Sequence, residues 1–402
     1  MRILFVNHKM GFFGGVEQNI ADVAGGLTLR GHTCVLAYGE STGRGVDDYG
    51  HAFTAMIPCI EAGASVGHSF DSIADEFHPD VVYLHKVEHV SPFLKGVGSA
   101  RTVRMVHDHD IVCPRRHKYF SLSGKICDKP AGWRCWLDGA FLDRSPLGNL
   151  AYKSIPDKLA ELNENKKVDR LIVGSVFMQR SLEMNGFSAD KIALIPPAVN
   201  ERPLIRTVVP TAPSLLFVGQ LIRGKGVDLL LEAVARMTDP VRVVIAGDGN
   251  AREQLEAQAG RLNIAGLVTF KGWVDHTEIG SLYDGARAVV VPSRWPEPFG
   301  MVGPEAMRHG RAVVAFDAGG IRDWLRHEIT GLLVPAGDPG ALALALQRVL
   351  YEPGLAEAFG QAGFVTAGSF YSYEAQLDQI EEALAAGIDR PRNGRRAPCT
   401  SV

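Results

Sequence analysis

The sequence predicts an α/β protein built from two doubly wound, Rossmann-like domains that face each other across a cleft. Three observations carry this. Short Val-rich apolar runs alternate with amphipathic helical stretches, the alternation occurs twice, and a Pro-rich aperiodic stretch, ERPLIRTVVPTAP from residue 201, separates the two series. Parallel strands covered on both faces read as continuous apolar runs, as they do here. A length of 402 residues suits two cores better than one.

MRILFVN is the first strand, and HKMGFFGG is a loop with three glycines. VEQNIADVAGGLTLRGH is a helix with Ile20, Val23, Ala24 and Leu27 on one face. CVLAY, VVYLHK and RTVRMVH are strands, the last ending at His107, and DSIADEFHPD is a short helix among them. From Ile111 to about Asn163 the periodicity weakens, and the stretch is too long for an ordinary connection. Its end, PDKLAELNENKK, is helical. DRLIVGS is a strand, Ser175 caps the helix SVFMQRSLEMNGF, and KIALIPPAV closes the first domain. The second domain opens with SLLFVG and continues through VRVVIAGDG, LVTFKGW, AVVVPS, AVVAFD and TGLLVPAG, each followed by a helix. The expected limits are 1–200 for the first domain and 201–370 for the second. Residues 371–388 form a C-terminal helix that crosses to the first domain, and 389–402, rich in Pro, Gly and Arg, form a disordered tail.

Composition narrows the function. The apolar fraction is 46%, the charged fraction 22% and the formal net charge −3, so the chain reads as globular with no general affinity for nucleic acid. There is no secretory leader pattern and no apolar run of about 18 residues. The expected location is the cytoplasm, with the inner face of a membrane left open. Cys113, Cys127 and Cys135 lie near His109, His117 and Asp128, but not at CxxC spacing. Reduced, partly buried thiols are the expectation, with a zinc-stapled loop as the alternative.

Ligands of such folds bind beyond the carboxyl ends of the strands, so the loops there rank first. GQLIRGKG, from Gly219, places Arg223 and Lys225 before a helix and suits a diphosphate. Gly14 and Gly15 in GFFGG let backbone approach a phosphate or sugar closely. In IAGDG, Gly247 precedes Asp248, which either caps the next helix or lines a nucleotide site. EPFGMVGPEA holds two acids, Glu297 in a loop and Glu305 in the first turn of a helix. Between them Phe299, Gly300, Met301 and Val302 form a turn rich in amide donors. Paired acceptors around amide donors fit a polyol, a sugar together with a ribose; helix capping is the alternative.

These segments resemble the retaining GT-B glycosyltransferases of family 4. The matching parts are FFGGVE at 12–17, VHDHDIVCPRR at 106–116, GQLIRGKG at 219–226, AGDG at 246–249 and EPFGMVGPEA at 297–306, the family's E-x7-E motif. The resemblance implies that Glu305 binds the donor ribose, Glu297 faces the sugar's outer hydroxyls, and Phe299 to Val302 hold sugar and phosphate. It implies that Arg223 and Lys225 grip the diphosphate, with Gly14 and Gly15 over the phosphates and Gly219, Gly247 and Asp248 also on the donor side. Trp273 and Val274 fall where the base is held. His107 matches the histidine beside the transfer centre. Asp108, His109, Arg115 and Arg116 match the acceptor side, in a first domain that takes the acceptor.

The implied activity is transfer of a sugar from a nucleoside-diphosphate donor, UDP- or GDP-linked, to an acceptor hydroxyl, in glycan, glycolipid or natural-product assembly. Cationic side chains would serve in place of a metal, since no DxD stands at a strand end of the second domain, and no other cofactor is expected. In the family's front-face route, the hydroxyl attacks from the side the diphosphate leaves. The basic, aromatic stretch 115–144 leaves the acceptor open between an anionic or lipid-linked molecule, with peripheral membrane contact, and a soluble one under a lid. A nucleotide-sugar 2-epimerase of the same fold and a non-catalytic nucleotide-sugar binder are the alternatives. Lack of GxGxxG argues against an oxidoreductase.

Overall fold

A computed structural model describes residues 1–120, 125–144, 150–199 and 207–386. The expected disordered tail, the last two residues of the expected C-terminal helix segment and the stretch 200–206 lie outside them.

The strands are β1 (Arg2–Met10), β2 (Thr33–Ser41), β3 (Ala55–Pro58), β4 (Val81–Leu84), β5 (Arg101–Val106), β6 (Leu142–Arg144), β7 (Leu150–Tyr152), β8 (Arg170–Val173) and β9 (Ile192–Leu194). They continue as β10 (Ser214–Val218), β11 (Arg242–Ala246), β12 (Val268–Gly272), β13 (Ala288–Val291), β14 (Ala312–Phe316) and β15 (Gly331–Val334). One sheet runs β3-β2-β1-β4-β5-β8-β9 and the other β12-β11-β10-β13-β14-β15. The antiparallel pair β6-β7 stands apart from both.

Side-chain alternation explains the second sheet. Leu215, Phe217, Val243, Ile245, Val290 and Val314 point into one buried cluster, while Leu216, Val289, Val291, Val313 and Ala315 point into another. Helices cover each face, so every residue of β13 and β14 is buried. Each Val or Leu so placed stabilises by roughly 1.5–3 kcal/mol before chain entropy is counted. The first sheet has its own core of Leu4, Val6, Val82, Leu84, Phe70 and Phe93.

Contacts divide the chain into two compact units. The first comprises Met1–Val106, Asn163–Ile172 and the residues from Leu377 onward; the second comprises His107–Leu162 and Val173–Gln376. The expected boundary at residue 200 does not coincide with this division. The long segment after β5 groups with the second unit, where the amide of Ala131 donates to Asn185 Oδ1 at 2.8 Å and Lys118 Nζ to the Lys129 carbonyl at 3.2 Å. In the first unit, Arg30 pairs with Asp378 at 2.8 Å and with Glu381 at 3.1 Å, both on the helix Tyr373–Ala385.

Some local expectations shift. β1 runs through Met10 rather than ending at Asn7, because Lys9 and Met10 pair in register with Glu40 and Ser41 of β2. The β6-β7 hairpin lies inside the segment read as aperiodic. Ser175 caps the helix Val176–Met184 as its sequence predicts, accepting from the Met178 amide at 3.1 Å.

Candidate active site

Topology selects the site. β10 lies at the centre of its sheet; the chain moves outward to β11 and β12, then returns to the other side as β13. The neighbours β10 and β13 therefore send their following loops in different directions from one point, the switch where ligands bind in doubly wound sheets. The loop after β10 carries Arg223 and Lys225, and the loop after β13 carries Glu297.

The two loops are joined. Lys225 Nζ lies 2.8 Å from Glu297 Oε1, and the Glu297 side chain is only 5% exposed. Ser293 Oγ donates to the same oxygen at 2.5 Å. The Lys225 ammonium also sits 5.2 Å from the centre of the Trp295 ring, within cation–π range. Arg294 reaches back across both loops, making a two-pronged ion pair with Asp228 at 2.6 and 2.5 Å. The amides of Arg294 and Trp295 donate to the Gly224 carbonyl at 2.8 and 3.2 Å. Gly226 makes this approach feasible: its φ is 70°, and a Cβ there would lie 1.8 Å from the Pro292 carbonyl oxygen.

The rest of the loop is held as firmly. The Pro296 carbonyl accepts from His109 Nε2 at 2.8 Å, and the Pro298 carbonyl accepts from Ser175 Oγ. The Glu297 backbone bonds Ala318 and Gly320, and the Phe299 carbonyl accepts from Trp324 Nε1 at 2.7 Å. A positive φ of 89° at Gly300 then turns the chain into the helix Val302–Arg308. Met301 precedes that helix, and Glu305 in its first turn accepts from Tyr283 Oη at 2.6 Å. Burial, with Glu305 alongside, holds the Tyr283 phenol well above its ordinary range, so it donates as a neutral hydroxyl.

Residues 13–202 match Glycosyltransferase Family 4, and residues 206–365 match Glycosyl transferases group 1. A D-inositol 3-phosphate glycosyltransferase of Thermomonospora curvata is 31% identical over 423 residues, covering 94% of this chain and 91% of that protein. The chain belongs to the group 1 glycosyltransferases. An uncharacterized glycosyltransferase of Methanocaldococcus jannaschii, MJ1607, is 37% identical over 145 residues, 36% of this chain. The chain spans only 37% of that protein's length, and 45% and 54% of two further relatives. Among solved structures, Anabaena Alr3699/HepE in complex with UDP superposes with a TM-score of 0.72 at 19% identity, covering 96% of this chain and 99% of that one. This likeness shows the GT-B fold.

Lys225, Glu297, Phe299, Gly300, Met301, Val302 and Glu305 all lie on the two loops and helix just described. Arg223 is exposed beside them. Gly219 and Gly247 sit back to back at the ends of β10 and β11: Gly247 has a φ of 144°, and a Cβ on it would lie 1.8 Å from the Gly219 carbonyl oxygen. Gly272, at the end of β12, joins them through the 2.8 Å bond from the Gly247 amide; Trp273, 46% exposed, and half-buried Val274 follow it. Asp248 does not cap the next helix. It is exposed, bonds the Gly249 amide at 2.8 Å and lies 3.9 Å from Arg252.

His107 and Asp108 are half-buried at the end of β5, and Asp108 Oδ1 accepts from the Asp110 amide at 2.9 Å. His109 departs from the expected acceptor role. It is fully buried, and its imidazole supports the Glu297 loop. Burial lowers its pKa to about 4, so it is neutral and donates through Nε2. Arg115 bonds the Asp138 carbonyl at 2.5 Å, while Arg116 is exposed. Cys113, Cys127 and Cys135 are free thiols, and burial pushes the Cys113 thiol up. Among the described residues no three His, Cys, Asp or Glu side chains gather as metal ligands would. In the first unit, Gly14 and Gly15 are exposed where the helix Gly15–Leu29 begins.

Sequence reasoning missed Asp228, Arg294, Tyr283 and the second bond of Ser175. Arg294 stands next to the E-x7-E motif, which was a usable signal. The others join segments far apart in the chain.

Proposed function

We propose that the protein transfers a sugar from a nucleoside-diphosphate sugar to an acceptor hydroxyl, with retention at the anomeric carbon and without a metal. The Lys225–Glu297 pair carries this reading: a cation for phosphate and an acceptor for sugar hydroxyls, fixed side by side at the switch point. Donor binding would redistribute that pair, with Lys225 turning to the diphosphate and Glu297 to the sugar. Arg223 would add a second positive charge. Such preorganised charge stabilises a leaving diphosphate without reorganisation at the moment of reaction.

The acceptor oxygen would bond the anomeric carbon as the bond to the phosphate oxygen breaks. The departing oxygen would take the acceptor's proton. His107 would position the donor sugar. Glu297, already bonded to Lys225 and Ser293, would act as a hydrogen-bond acceptor and not as a nucleophile. Support for a uridine nucleotide comes from the Anabaena HepE complexes with UDP and with UDP-glucose.

A thermal-shift screen of UDP- and GDP-sugars, followed by acceptor trials with the best donor, tests the reading. The expected result is release of the nucleotide only with acceptor present, an undiminished rate in EDTA, and a product whose anomeric coupling matches the donor's. Conversion of the donor alone into its 2-epimer, or inversion in the product, overturns it.

A further inference from the structure

We propose that Trp133, Trp136, Leu137, Leu142 and Tyr152 of the second unit form a docking surface for an anionic lipid bilayer. This goes beyond the transfer reaction and does not rest on the donor assignment.

Trp133, Trp136 and Leu137 are 66%, 43% and 76% exposed, and their i, i+3, i+4 spacing puts them on one side of the single helical turn Arg134–Leu137. The hairpin that follows presents a second apolar pair. Leu142 and Tyr152 are directly opposed across β6 and β7, on one face, and are 44% and 66% exposed. The two groups are close in the chain, because the Lys153 amide bonds the Phe141 carbonyl at 2.7 Å and Trp136 packs 5.6 Å from the Phe141 ring. Water-facing apolar groups in such a run mark an interaction surface.

Charge identifies the occupant. In a chain of net charge −3, residues 115–153 contain seven Lys or Arg besides the buried Lys118, against three Asp, namely Asp128, Asp138 and Asp143. Arg134 is exposed and lies 5.4 Å from the Trp133 ring centre, and Lys125, earlier in the same stretch, is exposed too. Trp and Tyr flanked by cations are the side chains that settle at a lipid headgroup boundary. An isologous contact with a second copy would instead bring two such positive surfaces together. No described helix is long and apolar enough to cross a membrane, so the contact is peripheral.

Flotation of the full chain with vesicles tests this. Vesicles of phosphatidylcholine with about one-third phosphatidylglycerol should bind it, and pure phosphatidylcholine vesicles should bind about tenfold less, with binding weakened by salt. Trp133→Ser/Leu137→Ser should lose binding about tenfold while keeping the wild-type melting temperature, which separates lost contact from lost fold. Brominated lipids should quench wild-type tryptophan fluorescence and quench the Trp133→Phe/Trp136→Phe variant less. Equal flotation of wild type and the Ser variant, or flotation with neither vesicle accompanied by self-association that the Ser variant abolishes, overturns the proposal.

Discussion

The loop after β13 and the loop after β1 are both rich in Gly, Pro or aromatic residues and both precede a helix, yet they are built in opposite ways. From Arg294 to Phe299, every residue is tied by a side chain or carbonyl to another part of the second unit, and Ser293 braces Glu297 from within the loop. From Phe12 to Gly15, the ties include the Phe12 amide to the Arg44 carbonyl at 2.9 Å, Phe12 edge-on to Tyr49 and Lys9 over the Phe13 ring, while Gly14 bonds only into the helix that follows, its carbonyl accepting from the Gln18 amide at 3.2 Å and its backbone bonding the Glu17 carboxylate. Phe13, Gly14 and Gly15 are exposed. Fixed charge needs a rigid frame to be useful, because a dipole that must reorganise gives back what it contributes. A backbone that only closes over a ligand needs room and little else. The contrast separates a preorganised element from an adaptable one.

The largest test of the rigid element is Lys225→Met. Glu297 would be left buried and unpaired, so we expect a loss of about 3–5 kcal/mol in stability by denaturant titration. Transfer should fall about 10²–10³-fold. Unchanged stability would mean that the loop does not depend on this pair. Asp228→Ala should come next, at about 1–3 kcal/mol, since it strands the partly buried Arg294 guanidinium. It should lower transfer more than nucleotide affinity, because it loosens the loop without touching the phosphate side chains. Equal loss of both would place Asp228 in direct nucleotide contact.

His109 sharpens the comparison through pH. Its folded pKa of about 4 lies below the ordinary value of 6.5. Burial is the main cause, nearby Lys118 adds to it, and the Pro296 carbonyl opposes it. As pH falls below 6.5, the unfolded chain takes up a proton that the folded one refuses until about 4. Stability should therefore drop as pH falls through that window, by about 2–4 kcal/mol. His109→Gln keeps a donor for Pro296 and does not titrate, so its stability should change less over the same range. Parallel pH curves for the two proteins would remove His109 from the frame.

The smallest effect belongs to the adaptable loop. Nothing lies within 4 Å of a Cβ at Gly15, and the residue starts a helix. Gly15→Ala should leave stability within about 0.5 kcal/mol or raise it slightly, while weakening donor binding. Gly226→Ala, with its carbonyl collision, should instead destabilise by several kcal/mol. Equal cost for the two substitutions would erase the distinction between the loops.

Much of this was legible in the sequence. The second sheet declared itself through strands such as AVVVPS and AVVAFD, whose unbroken apolar runs require cover on both faces. Lys225, Glu297 and Glu305 stood out because charged residues at the ends of such strands have no core role. The frame around them was not legible. His109 to Pro296 spans 187 residues and Ser175 to Pro298 spans 123, and side-chain bonds to carbonyls at that separation leave no local period. His109 was misread for the same reason: beside His107 and Asp108 it looks like part of a surface constellation, whereas the turn that follows β5 folds it inward. The β6-β7 hairpin was hidden by strands of three residues, too short to show alternation.

The central claim is that Lys225 binds phosphate and Glu297 binds sugar. Calorimetric titration of wild type, Lys225→Met and Glu297→Gln tests it most directly, with the nucleoside diphosphate and its sugar conjugate as ligands. Lys225→Met should weaken both ligands, and Glu297→Gln should weaken only the sugar conjugate. Wild-type affinity of Lys225→Met for the free nucleotide would contradict the claim.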